Sequence, residues 1–238
     1  MANRSGAYTQ VNFPMPKVLF DNTDFDFPAY NNYIPDIARV DWFVEDIEQY
    51  RAEHNSSLPK FINVTLCNDH GAAPVPKNGF PYVASYMADN DLALGRIVAY
   101  LSRQPEWKKM AIFVTQDDSG GDADSIDRHR SFVLCISPWA KRGHVTHEHT
   151  SIISIIKTIY GLFDLGPNNL LEATASDMSD MFTNMPDYTP YKYVPSDPRV
   201  FKPEDTFDAT DPKFERRRKE GPVVKMDDPD FVEWLRNI

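Results

Sequence analysis

The pattern of apolar and polar positions changes several times along the chain, and each change marks an element. Residues 1–34 have no regular period; they are irregular and aromatic-rich, broken by Pro14, Pro16 and Pro28. After Pro35 the apolar positions Val40, Phe43, Val44, Ile47 and Tyr50 recur at helical spacing and predict an amphipathic helix. Asp36 is its expected N-cap, and Asn55-Ser56-Ser57 ends it. Lys60 to Cys67 is short, apolar and β-branched, the pattern of a buried strand, with Asn68-Asp69-His70-Gly71 as the loop at its carboxyl end. A long helix is predicted from Tyr82 to Ser102, then a strand over Met110 to Thr115 and an acidic loop from Gln116 to Arg128. Ser131 to Ser137 reads as a third strand. Thr150 to Phe163 reads as a helix whose five isoleucines give it two buried sides.

Apolar runs without alternation belong to strands covered on both faces, so this order of elements predicts an α/β layered domain with a mostly parallel sheet. The core is expected over residues 35–165, between the irregular 1–34 and an extended 166–238. Of nineteen prolines, eight lie after residue 185. The late segment is also rich in aromatics, among them Phe182, Tyr188, Tyr191 and Tyr193, which predicts that it wraps the core as ordered chain. Phe231 to Ile238 is expected to be briefly helical.

The charge balance narrows the function classes. Twenty-five basic against thirty-five acidic residues leave a net charge of −10, a surface that repels nucleic-acid phosphates and anionic lipid. No apolar run reaches the roughly 18–20 residues of a membrane span. Met1 to Gln10 is polar, with no visible signal peptide. Two cysteines, Cys67 and Cys135, make neither a disulfide framework nor a cysteine-built zinc site, and both are expected reduced and buried.

In open α/β sheets function gathers at the carboxyl ends of strands. Two strand-end loops stand out, one carrying Asp69 and His70, the other Asp117 and Asp118 and running on to His129. Five of the six histidines lie between positions 70 and 149. Carboxylates with imidazoles are the donor set of divalent-metal sites. Each feature alone reads as a turn or a helix cap; their co-occurrence favours a site. There is no glycine-rich phosphate loop and no Gly-x-Ser-x-Gly elbow.

The ordered set Asn68-Asp69-His70, Ala88 to Gly95, Phe113 to Asp118, Asp127 to Ser131, Ile136-Ser137-Pro138, Arg142-Gly143 and His149 to Ile153 resembles the bacterial phosphoesterase family of the alkaline phosphatase superfamily, in its acid phosphatase and phospholipase C branch. The resemblance implies a three-layer α/β/α fold and a divalent-metal centre that hydrolyses phosphate esters. Zinc is the foremost metal, with manganese, calcium or magnesium as alternatives. By match, Asp117, Asp118 and His149 are metal ligands, and His70 and His129 are catalytic residues beside the metal. Asp69 either ligates the metal or orients His70.

Two departures accompany the resemblance. Asp124-Ser125 stands where the family reads Asp-His, and no motif upstream of residue 60 supplies the family's early metal ligand or its Ser or Thr nucleophile. Asp21-Asn22-Thr23, the one local echo, reads as a turn. The expectation is therefore the carboxyl-terminal half of a metal-dependent phosphoesterase with the nucleophile-bearing half absent. The alternative is a catalytically inactive remnant that binds a metal or a partner. The expected partners are a phosphate-ester substrate and either the missing half or a second copy of the chain, without nucleic acid. Family members are often secreted or periplasmic, and the compartment of this chain stays open.

Overall fold

A computed structural model describes residues 15–118 and 129–202. The chain divides into two compact units, one built from the stretch up to Arg103 together with that from Tyr191 onward, the other from Gln104 to Pro190.

The first unit rests on α1 (Lys17–Phe20), α2 (Asp36–Glu53) and α3 (Val83–Leu101). The periodicity of α2 does what it predicts: Ile37, Val40, Phe43 and Ile47 are buried, and α2 packs along α3, in which Tyr86, Leu92, Ala93 and Ile97 are buried. Its start differs by one residue. Pro35 takes the N-cap position and Asp36 becomes the first helical residue, which frees the Asp36 carboxylate for the interior. At α3, Ser85 Oγ accepts from Tyr82 N–H (3.4 Å) and donates to the Tyr82 carbonyl (2.5 Å), closing the first turn.

Residues 191–197 are laid against this unit without regular structure, and Pro198–Phe201 follow as a 3-10 turn. Tyr191 N–H donates to Ser102 Oγ (2.9 Å), Ser196 Oγ to the Ala88 carbonyl (2.9 Å), and the Tyr82 hydroxyl to the Lys202 carbonyl (3.1 Å). A Cβ at Gly95 would meet the Cβ of Tyr193 at 3.0 Å, so the crossing requires a glycine in α3. The helix expected over Phe231 to Ile238 lies outside the described residues.

Residues 60–67 correct the reading of a buried strand. The segment is extended, but its residues 60–66 make no backbone hydrogen bond among the described residues, and Phe61 is 60% exposed. A β-branched apolar run becomes a strand only when a neighbour takes its N–H and C=O groups.

The second unit holds β1 (Ile112–Thr115), β2 (Val133–Ile136), α4 (Ile152–Leu162) and α5 (Leu170–Thr174). β1 and β2 pair antiparallel, Ile112 opposite Ile136 and Thr115 opposite Val133. Among the described residues this two-stranded sheet replaces the mostly parallel one expected. A parallel pair needs an apolar crossover element between its strands, and residues 116–132 are polar and acidic. The pair is not covered on both faces: Phe132 is 47% and Leu134 42% exposed, and Cys135 is half-buried rather than buried. Nor does α4 bury two sides. Ser154, Ile155 and Thr158 face inward, while Ile152 is half-exposed. Its inward hydroxyl earns a role, because Thr158 Oγ1 accepts from the Met178 N–H (3.0 Å). No helix among the described residues is long and apolar enough to cross a membrane.

Candidate functional site

In the first unit the expected site residues lie on a single 3-10 turn, Asn68–His70. Its anchor is a buried polar network. Asp36, Arg39, Asn68 and Asp89 are all 0% exposed. Asp36 accepts from Cys67 N–H (3.2 Å) and Asn68 N–H (2.9 Å), one at each carboxylate oxygen, and Arg39 donates to the first of these oxygens at 2.9 Å. The rest of the Arg39 guanidinium is spent on the carbonyls of Ile34 (2.7 Å), Ala29 (2.8 Å) and Asn31 (3.1 Å). Asn90 adds a further donor to Asp36 at 2.9 Å.

Asp89 comes in from α3. It accepts from Asp36 N–H (2.6 Å) and from the Asn68 side-chain amide (2.7 Å). Burial, and then the Asp36 carboxylate, push the Asp89 carboxyl up to about 7. Asn32 closes the arrangement by donating to the Cys67 carbonyl (2.9 Å). Buried charges survive when paired and hydrogen-bonded, and this cluster draws its partners from three stretches of chain, with Arg39 Nε alone of the guanidinium nitrogens left without one among the described residues.

On that anchor Asp69 is half-buried and His70 is exposed. His70 Nδ1 lies 3.1 Å from the Gly71 carbonyl, so the proton belongs on Nδ1 and Nε2 is the nitrogen left to act. The Tyr30 ring stands edge-on to His70 at 5.5 Å. The Tyr30 hydroxyl is held above its ordinary value by partial burial, then by Cys67 and Asp69. Gly71 continues the turn at φ +66°, where a Cβ would press on Val83 at 3.3 Å. Burial raises the Cys67 thiol, so it stays protonated and is no nucleophile.

In the second unit the β1–β2 register decides what meets. With Thr115 opposite Val133, the ladder opens at one end into Gln116-Asp117-Asp118 on one strand and His129-Arg130-Ser131-Phe132 on the other. Thr115 Oγ1 donates to the Phe132 carbonyl (2.9 Å) and Ser131 Oγ to Gln116 Oε1 (3.4 Å), tying the two exits together. Asp117, Asp118 and His129 are all exposed there. His149 is exposed just before α4, whose first turn is closed by Ser151 and Ser154. Among the described residues no three His, Cys, Asp or Glu side chains converge as a metal-holding group. Asp124-Ser125, the altered family position, lies outside the described residues.

Two features of the polar architecture are not legible as spacing. One is the role of Asp36 and Asp89, which are fifty-three positions apart. Alternation of Asp with apolar residues in a helix marks a solvated face, so the sequence signal points the wrong way. The other is His144, whose Nε2 lies 2.8 Å from Asp180. The His144 contact, then that of Thr146, holds the Asp180 carboxyl down at about 2.

Thr23, the remaining upstream hydroxyl of interest, donates to the Leu19 carbonyl (2.7 Å) at the end of α1. That is the turn expected of it and not an activated nucleophile.

The profile of the phosphoesterase family matches residues 21–165, well over half of the chain. The chain belongs to the phosphoesterase family, and phosphate-ester hydrolysis is the general chemistry that goes with membership. The matched stretch takes in the clamped turn, the open end of the β1–β2 ladder and His149. No curated protein and no solved structure matches the chain.

Proposed function

We propose that the chain carries the metal-binding part of a phosphoesterase of the acid phosphatase and phospholipase C branch, on a three-layer α/β/α plan, with the nucleophile supplied from outside the residues that match the family. The observation that supports the reading is the open end of the β1–β2 ladder, which Asp117 and Asp118 follow two and three residues after β1 and His129 precedes by four residues before β2. Carboxylate oxygens and an imidazole nitrogen are donors that zinc or manganese accepts, so the residues fit a divalent cation in kind.

Asp117 and Asp118 would hold the metal, with His149 as a further ligand. The bound ion would supply Lewis-acid stabilisation of phosphoryl oxygens. His70, with Nδ1–H turned to the Gly71 carbonyl, presents Nε2 as the nitrogen that would accept or return a proton. His129 serves as a second phosphate contact.

The test is metal content of the purified chain beside Asp117→Ala and Asp118→Ala, with turnover of an aryl phosphate in zinc, manganese, magnesium or calcium. Bound metal in the wild type that falls in both variants is the expected result. Equal metal content in all three sinks the metal reading. Metal bound without turnover favours the inactive-remnant alternative.

A further inference from the structure

We infer that Asp36, Asp89 and Asn68 are positioning residues that set how the turn displays Asp69 and His70. The inference rests on reading that turn as part of the phosphoesterase site. Two separate stretches, residues 32–36 and Asp89 in α3, converge on two consecutive peptide units. One carboxylate, Asp36, takes the N–H groups of both Cys67 and Asn68, and Asn32 takes the Cys67 carbonyl. The Asn68 side chain is gripped at both ends, its Nδ2 donating to Asp89 (2.7 Å) and its Oδ1 accepting from Asn32 (3.3 Å).

The gradient along the turn matters as much as the bonds. Asn68 is fully buried, Asp69 is half-buried and His70 is exposed, so complete fixation and solvent access are separated by one residue. An active-site side chain must be held within roughly 0.5 Å of its productive geometry, and that precision comes from the locked residues behind it. A desolvated Asp36–Arg39 pair with a second buried carboxyl, Asp89, beside it is a costly way to stabilise a turn that apolar packing could hold. It is a direct way to fix its register, because each bond has one direction.

Full-length Asn68→Ala removes the link between Asp89 and Asn32. Its His70 imidazole NMR resonances, assigned with His70→Gln, should shift or split. Hydrolysis of an aryl phosphate, where the wild type shows it, should fall at least about tenfold in kcat with KM changed by less than about threefold. Ile47→Ala, about three turns further along α2, loses stability in the same unit and should leave the His70 resonances in place. Asn32→Ala is read in the same way if Asn68→Ala does not fold. His70 resonances that superpose on those of the wild type in the folded variant overturn the inference. Shifted resonances in a chain that shows no turnover uphold the positioning and overturn the catalytic reading of the turn, so the two failures are distinguishable.

Discussion

Replacing Asp89 by asparagine should make the protein's stability less dependent on pH. Asp89 is fully buried against Asp36, and its carboxyl is pushed up to about 7 from an ordinary 3.8. The folded state therefore keeps the Asp89 proton to higher pH than the unfolded chain does. Between about pH 4 and 7 folding binds a proton, and stability falls as pH rises through that window. At about 1.36 kcal/mol per pH unit, the three-unit difference is worth about 4 kcal/mol, fully lost above pH 7. Asp89→Asn has no proton to lose and keeps an oxygen for the Asp36 N–H and the Asn68 amide. Its stability minus that of the wild type should grow by about 4 kcal/mol from pH 4 to pH 8. Urea unfolding followed by far-UV circular dichroism, at several pH values on both sides of the pI near 5.0, measures this difference. Any fixed cost of fitting the amide cancels in the comparison. A difference constant to within 1 kcal/mol across that range would refute the reasoning.

Leu92→Ala, at 2% exposure in α3, should cost about 2–5 kcal/mol in the same unfolding assay, and a cost under 1 kcal/mol would contradict the α2–α3 packing. Gly71→Ala, at φ +66° with Val83 in the way, should lose about 1–2 kcal/mol, with unchanged stability as the contrary result. Thiol titration should find two free cysteines, Cys135 reacting before Cys67, because Cys67 is 3% exposed and Cys135 half-buried. A disulfide seen by non-reducing mass analysis would contradict this. Aryl phosphate turnover by the chain alone should be very low with any divalent metal, since Thr23 is bound into a helix end; robust turnover abolished by Thr23→Ala would contradict it.

Local periodicity was a good guide where one face of one element meets one neighbour. The ends of α3 fall within a residue of the stretch from Tyr82 to Ser102, and α4 falls within Thr150 to Phe163. It misled where a pattern needs a distant partner to acquire meaning. Residues 60–67 have strand composition without a paired neighbour among the described residues, and the direction of the β1–β2 pair depends on a partner that composition does not name. The ordered motifs around Asp69, Asp117 and His129 were enough to identify the family over residues 21–165. The support behind the turn was hidden for a physical reason. Asp36 reads as a helix cap and Asp89 as one residue of the Ala88–Gly95 motif until the fold brings them together at 0% exposure.

The extended stretch from Lys60 to Leu66 has a practical consequence for anyone handling the protein. Among the described residues the backbone donors and acceptors of Phe61 and Ile62 have no partner, and such groups form a template on which a second molecule's chain can register. Lys60 at its entrance and the polar side chains of Asn63 and Thr65 are the natural gatekeepers against such growth. Concentrating the protein near its pI of about 5.0, where mutual charge repulsion vanishes, removes the other safeguard. Precipitates formed there should bind thioflavin dyes, and a second lysine in place of Ile62 should delay their appearance.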